Sequence, residues 1–146
     1  MAVDWSAVPV FGSRAAGFPY VIRPSAYAIV RNRVGAVLVV RTQRGLFLPG
    51  GGIEGAETSA SAVSREANEE CAVGLQVGPL VGRAVEIVSA PDEGTCFEKR
   101  SEFFEASVLP SVNAAGNGLW MAVPEALRDL RPESHRWALR QLRSAT

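Results

Sequence analysis

The sequence predicts an α/β fold, a mixed β-sheet held between helices. Short runs of β-branched, aromatic and small apolar residues flank one central segment of helical periodicity, and two further helical patterns close the chain. No internal repeat, low-complexity tract or Pro/Ser-rich linker divides the sequence, so a single domain over residues 1–146 is expected.

Each element has a local reason. Ser25 to Arg31 and Gly35 to Arg41 read as two strands joined tightly through Asn32-Arg33-Val34. The run Ala36-Val37-Leu38-Val39-Val40 lacks alternation, which predicts a strand covered on both faces. Leu46-Phe47-Leu48 is a further short strand stopped by Pro49, and Gly50-Gly51-Gly52 then frees the backbone for positive φ and close approach to a ligand. A helix is expected from a cap at Thr58 or Ser59 to about Cys71, with Ala60, Val63, Ala67 and Cys71 as its apolar stripe and Gly74 as its stop. Leu75 to Ala90 reads as extended, interrupted at Gly78-Pro79 and Gly82, and the loop Pro91-Asp92-Glu93-Gly94 follows. Ser101 to Leu109 is a strand centred on Phe103-Phe104, which leaves Glu98 in a loop. Asn113 to Gly118 is a second loop before the strand Leu119 to Val123. Pro124 suits the first turn of a short helix through Leu130, and a last helix runs from about Pro132 to Arg143, with His135 on its surface.

Composition narrows the function. The chain is 47% apolar, and its 15 basic and 15 acidic side chains cancel, so it lacks the Lys/Arg excess with which coat proteins and polybasic membrane binders meet phosphates. A chain of this length buries roughly 70% of its unfolded surface, needs no metal or disulfide to fold, and would use a bound metal for chemistry. Cys71 and Cys96 lack the spacing of a zinc or redox motif and are expected to be reduced structural thiols. Met1 to Trp5 has no basic start before an apolar stretch, and the longest apolar-and-glycine run is Val34 to Val40; a cytoplasmic protein without membrane contact is expected.

The segment from Gly50 to Glu70 carries five glutamates against one arginine. On a helix Glu66, Glu69 and Glu70 fall at i, i+3 and i+4, so their carboxylates share one face, with Arg65 one turn before Glu69. A solvated charged face is the plain reading of such a trio. A divalent cation is the other, because it relieves the mutual repulsion, and all-oxygen ligation suits Mg²⁺ or Mn²⁺.

The spacing of Gly51, Glu57, Arg65, Glu66, Ala67, Glu69, Glu70 and Val73 resembles the Nudix box. At ~7% for each of the six fixed Gly, Glu and Arg positions, a chance match at one start is on the order of 10⁻⁷. Ala72 stands where the box has its final Gly, Ala67 is small for its aliphatic position, and Gly55-Ala56 replaces a frequent Pro-Gly. Leu48-Pro49-Gly50 before the box and Trp120 ahead of Pro124-Glu125-Ala126-Leu127 also resemble the family.

That resemblance implies a Nudix-type α/β/α sandwich and metal-dependent hydrolysis of a diphosphate linkage in a nucleoside diphosphate derivative. A MutT-like action on a nucleoside triphosphate, oxidised or not, is the favoured form. A nucleotide-sugar or ADP-ribose pyrophosphatase and a non-catalytic nucleotide-binding Nudix module are the alternatives. It implies Mg²⁺ or Mn²⁺ held by Glu66, Glu69, Glu70 and the Gly50 carbonyl, with Glu57 supporting the site and Arg65 orienting the glutamates. An assisting glutamate outside the box is sought among Glu98, Glu102 and Glu105, and Glu102 is preferred. The expected partner is a small nucleotide, not nucleic acid or membrane, with a homodimer left open. For base and phosphate contacts the sequence offers Tyr27, Phe97, Phe103, Phe104 and Trp120, and Arg23, Arg41, Arg44, Lys99 and Arg100.

Overall fold

The computed structural model describes residues 2–90, 92, 94–110 and 117–144. The elements in order are β1 (Val10–Phe11), β2 (Val21–Val30), β3 (Val37–Thr42), β4 (Gly45–Phe47), β5 (Gly50–Gly52), α1 (Ser59–Cys71), β6 (Leu75–Ala90), β7 (Thr95–Val108), β8 (Gly118–Met121), α2 (Val123–Asp129) and α3 (Glu133–Ser144). Five strands form a mixed sheet in the order β1-β6-β7-β2-β5, and β4-β3-β8 form a second, antiparallel sheet. One sheet was the expectation; there are two because β2 and β3, though consecutive, meet only through the isolated bridge Arg31↔Val37.

At the centre β2 runs parallel to β7, with Tyr27 opposite Phe103, and β5 lies antiparallel on the other edge of β2, with Ala26 opposite Gly51. Side-chain alternation then splits the core in two. Ala26, Ala28 and Val30 face Val63, Ala67 and Cys71 of α1, joined by Leu38 and Val40. Tyr27, Ile29 and Phe103 face the other way, with Val37, Val39, Leu139 and Leu142. The strand β3 therefore contributes to both cores, as its unbroken apolar run predicts. Each fully buried Val or Leu contributes about 1.5–3 kcal/mol, and the alanines of β2 let α1 lie close to the sheet.

Several boundaries differ from the sequence reading. β2 begins at Val21 rather than Ser25, and the triple glycine is itself a strand. β7 begins at Thr95, which places Glu98 in a strand and not in a loop; pairing with β2 on one side and β6 on the other overrides its charged composition. β6 continues through Gly78-Pro79 and Gly82, where the predicted interruptions survive as register shifts. In α1 the buried residues are Ala62, Val63, Ala67 and Cys71, so Ala62 takes the place expected for Ala60. Thr58 caps the helix by accepting the Ser61 N–H. The helix ends before Gly74, at Ala72, whose φ of 54° is left-handed. The expected loop residues Pro91, Glu93 and Asn113 to Gly116 lie outside the described residues.

His135 is not a surface residue. It is 2% exposed, because the first turn of α3 packs onto the aromatic side chains of β2 and β7. Both cysteines are free and buried, and burial pushes the Cys71 thiol up to about 11. Among the described residues no helix is long and apolar enough to cross a membrane.

Candidate active site

The loop between β5 and α1 and the outer face of α1 are organised around Arg65. Its guanidinium donates to Glu57 at 2.7 and 3.0 Å, to the Gly52 carbonyl at 3.2 Å, to Glu66 at 3.0 Å and more distantly to Glu69 at 3.4 Å. One arginine thus ties the loop, the glycine strand and the helix together, which a planar five-donor fork does better than an ammonium. Glu57 also accepts the Glu54 N–H at 2.9 Å, and its bonds to Arg65 hold its carboxyl below the usual range.

Glu66 and Glu70 sit against the glycines. The Gly50 N–H donates to Glu70 at 3.0 Å, and a Cβ on Gly51 would come within 2.9 Å of the Glu66 carboxyl carbon. At Gly50 a side chain is excluded outright: φ is 147°, and a Cβ would meet the Ala26 carbonyl oxygen at 2.2 Å. Burial pushes the Glu70 carboxyl up to about 7; the Gly50 N–H opposes this, and Glu66 and Glu69 reinforce it. Burial also raises the Glu66 carboxyl, against the pull of Arg65. Glu69 is largely in solvent.

Among the described residues no three possible ligand side chains stand close enough, as placed, to enclose a metal ion. The donor set still fits a hard divalent cation. It is all oxygen, it comes from two consecutive helical positions and a third one turn back, and burial leaves Glu70 short of compensating positive charge.

From this end a cleft of about 570 Å³ runs over β2 and β7. Gly50, Gly51, Glu66 and Glu70 line one side, Arg23, Tyr27, Phe97 and Lys99 the floor, and Gln43, Arg44 and Phe47 the other wall. The odd-numbered residues of β7 line it because Tyr27 and Phe103 share that face of the parallel pair. A second cavity of about 510 Å³ shares Tyr27, Gln43, Arg44, Phe47, Val88 and Lys99 with the first and extends to Glu86, Arg131, Ser134 and His135. His135 accepts the Leu48 N–H at Nδ1, 3.1 Å away, and its ring lies 4.3 Å from that of Tyr27. Burial holds its pKa well below the ordinary histidine value, with Lys99 and Arg136 adding to the effect.

The structure therefore brings together Gly50, Glu57, Arg65, Glu66 and Glu70, with Glu69 at the rim. It does not bring Glu102 to them. Glu102 accepts from Ser59 Oγ at the start of α1 and from Arg83 at 2.9 Å, and it lies on the α1 face of β7 rather than in the cleft. Glu98 is held by Arg14 and Arg100, and Glu105 by Arg31. Of the aromatic candidates Tyr27 and Phe97 line the cleft, whereas Phe103 is core and Trp120 stands apart on β8. Arg23, Arg44 and Lys99 line it too, while Arg41 and Arg100 do not. Phe47, Glu86 and Ser134 were not singled out from sequence, and His135 was expected on a helix surface rather than at the cleft; strand alternation around Lys99 marks the floor, but no local signal marks Glu86 or the burial of His135.

The fold is shared with solved structures. The MutT protein from Methanosarcina mazei Go1 superposes with a TM-score of 0.68 at 20% identity, covering 89% of this chain and 99% of that one. The E. coli dihydroneopterin triphosphate pyrophosphohydrolase gives 0.69 at 16% identity, covering 83% and 96%. The C. elegans Ap4A hydrolase gives 0.63 at 17% identity, covering 84% and 97%. No curated protein matches the sequence significantly. The family model described as NUDIX domain matches residues 21–142, a span that takes in the glycine strand, α1 and the whole cleft floor, and the chain accordingly belongs to the Nudix family.

Proposed function

We propose that this protein is a metal-dependent pyrophosphohydrolase that cleaves a diphosphate linkage in a nucleoside diphosphate derivative, most readily a nucleoside triphosphate. The observation that carries the reading is continuity: the glutamate and glycine end opens directly into a cleft lined by Arg23, Arg44 and Lys99 and walled by aromatic rings. Basic side chains meet the phosphates, and the rings offer a surface for an organic group. Names of the structural neighbours, among them a triphosphate pyrophosphohydrolase and an Ap4A hydrolase, agree with a phosphoanhydride substrate.

Glu66, Glu69, Glu70 and the Gly50 carbonyl would hold the cation, with Mg²⁺ or Mn²⁺ suited to that donor set. Such a cation supplies charge neutralisation on phosphate oxygens and makes water a better nucleophile. The chain's own part is position and field. Gly50 and Gly51 let backbone and carboxylates meet without intervening side chains. Arg65 and Glu57 are positioning residues that fix the glutamate-bearing turn against the Gly52 carbonyl. Glu102, held by Ser59 and Arg83, is left out of this set and acts as an anchor for the start of α1.

The test is turnover of a nucleotide panel with Mg²⁺, Mn²⁺ and excess chelator, with products identified by mass. Release of a nucleoside monophosphate and pyrophosphate, abolished by chelator, is expected. Nucleotide binding without turnover under every metal condition would overturn the proposal in favour of a binding module.

A further inference from the structure

The glutamate end joins the preceding chain through a short crossover. β4 pairs with β3 in the second sheet and β5 pairs with β2 in the first, so Leu48 and Pro49 carry the chain from one sheet to the other. Leaving one ladder before entering the next takes the Leu48 N–H out of strand pairing, and on a residue that is 0% exposed this donor needs another acceptor. His135 supplies it through Nδ1 at 3.1 Å, from 87 residues away. The Pro49 carbonyl is held by a different element, β2, whose Ala28 N–H donates to it at 2.8 Å.

The imidazole is itself fixed. Its ring packs against those of Tyr27, Phe47 and Phe103, with centroids 4.3, 5.9 and 5.6 Å away, and the Glu86 carboxylate accepts the N–H of the preceding Ser134 at 3.0 Å, which ties the first turn of α3 to β6. Accepting at Nδ1 requires the neutral ring with its proton on Nε2, and burial keeps the ring neutral. The crossover is stiff as well. Proline has one allowed φ region, and the residue before it is confined to extended conformations, so a displacement at Leu48 passes on to Gly50. Gly50 has no room to absorb it: its N–H is committed to Glu70 at 3.0 Å, and a Cβ there would stand 2.2 Å from the Ala26 carbonyl oxygen.

We propose that His135 is a positioning residue for the glutamate end: by accepting the Leu48 N–H it sets where the crossover lies, and so where the Gly50 backbone meets the Glu66 and Glu70 carboxylates. It acts through Leu48 and Pro49, without touching the reacting atoms. Removing the acceptor leaves a buried donor unsatisfied, and the relief open to the chain is to move Leu48 toward water, taking Gly50 with it. Misplacing a group at a reacting centre by about 1 Å costs on the order of 10²-fold in rate, so a small shift of Gly50 is enough to be read in kcat. This inference rests on the metal-dependent hydrolase reading for the meaning of Gly50, and its test separates the two.

The experiment moves the acceptor at position 135. Asparagine places an amide oxygen near the Nδ1 position, glutamine carries it about one bond further, near Nε2, and leucine has none. Each variant is measured for thermal melting, for kcat and KM on the best nucleotide of the panel and, with no nucleotide present, for Mn²⁺ affinity by electron paramagnetic resonance. His135→Leu should lower kcat by about 10-fold or more with KM within about 3-fold, and should weaken Mn²⁺ binding by about 10-fold. His135→Asn should return both to within about 3-fold of the wild type, and His135→Gln should follow His135→Leu. A residue that only fills the core would instead give losses that track the melting temperatures, with no separation of His135→Asn from His135→Gln, and that result overturns the proposal. If His135→Leu does not fold, the asparagine and glutamine variants carry the comparison alone. Mn²⁺ affinity that follows the acceptor upholds the proposal even when no nucleotide is hydrolysed, whereas turnover and Mn²⁺ affinity indifferent to the acceptor uphold the hydrolase reading and remove this one.

Discussion

The two ends of the cleft are assembled in opposite ways. The glutamate end comes from one stretch, Gly50 to Glu70, and its geometry is set by contacts within that stretch, above all Arg65 to Glu57, Glu66 and Gly52. The far end draws on β2, β4, β6, β7 and the start of α3, and its members meet only because those elements pack. The first is a local device that the sheet merely supports; the second exists only in the folded chain. Charge follows the same division. Destabilised anions concentrate at the first end, in Glu66 and Glu70, while the second buries a histidine held neutral.

The contrast can be broken at its strongest point by Glu70→Gln. The amide keeps shape and removes charge, so kcat should fall by about 10²–10⁴-fold with the fold intact, because burial already disfavours the anion and the Gly50 N–H keeps an acceptor. Metal-dependent turnover beside a melting curve reads both, and undiminished kcat would show that the glutamate end is not where the chemistry lies.

Arg65→Lys tests whether that end is a unit. Lysine keeps the charge and loses the fork that spans Glu57 and the Gly52 carbonyl. We expect a drop of about 10²-fold in kcat with little change in KM, and a weaker apparent affinity for the cation. A change confined to KM would instead place Arg65 on the substrate.

The far end is probed by acid. His135 is buried and neutral, with its pKa well below 6.5, so the unfolded chain takes up a proton that the folded chain refuses. Its contribution is complete above about pH 6.5 and is lost as the pH falls below that value, by at most about 1.4 kcal/mol per pH unit. His135→Asn offers an acceptor to the Leu48 N–H and does not titrate. Chemical denaturation between pH 7 and 5 should show a steeper loss in the wild type than in the variant, and parallel slopes would contradict the buried neutral imidazole.

The smallest effect is expected at Ala72. Its left-handed φ of 54° carries a Cβ cost that glycine avoids, so Ala72→Gly should stabilise the protein by about 0.5–1 kcal/mol with kcat unchanged. Destabilisation would mean that unfolded-state entropy outweighs the strain at this cap.

What the sequence determined by itself is the part of the molecule governed by short range. The i, i+3, i+4 glutamates, the Thr58 cap, the two-faced strand Val37 to Val40 and the helix positions follow from periodicities and side-chain chemistry that act within a few residues. Its misreadings fall where distant pairing prevailed. Glu98 became a strand residue because β2 and β6 flank it, and His135 was buried by the docking of α3. The floor of the cleft, and with it the meeting of Glu86 with Ser134, belongs wholly to tertiary structure. Residues 48 positions apart leave no mark of their contact in local pattern, since only the packing of helix on sheet brings the Ser134 N–H to the Glu86 carboxylate.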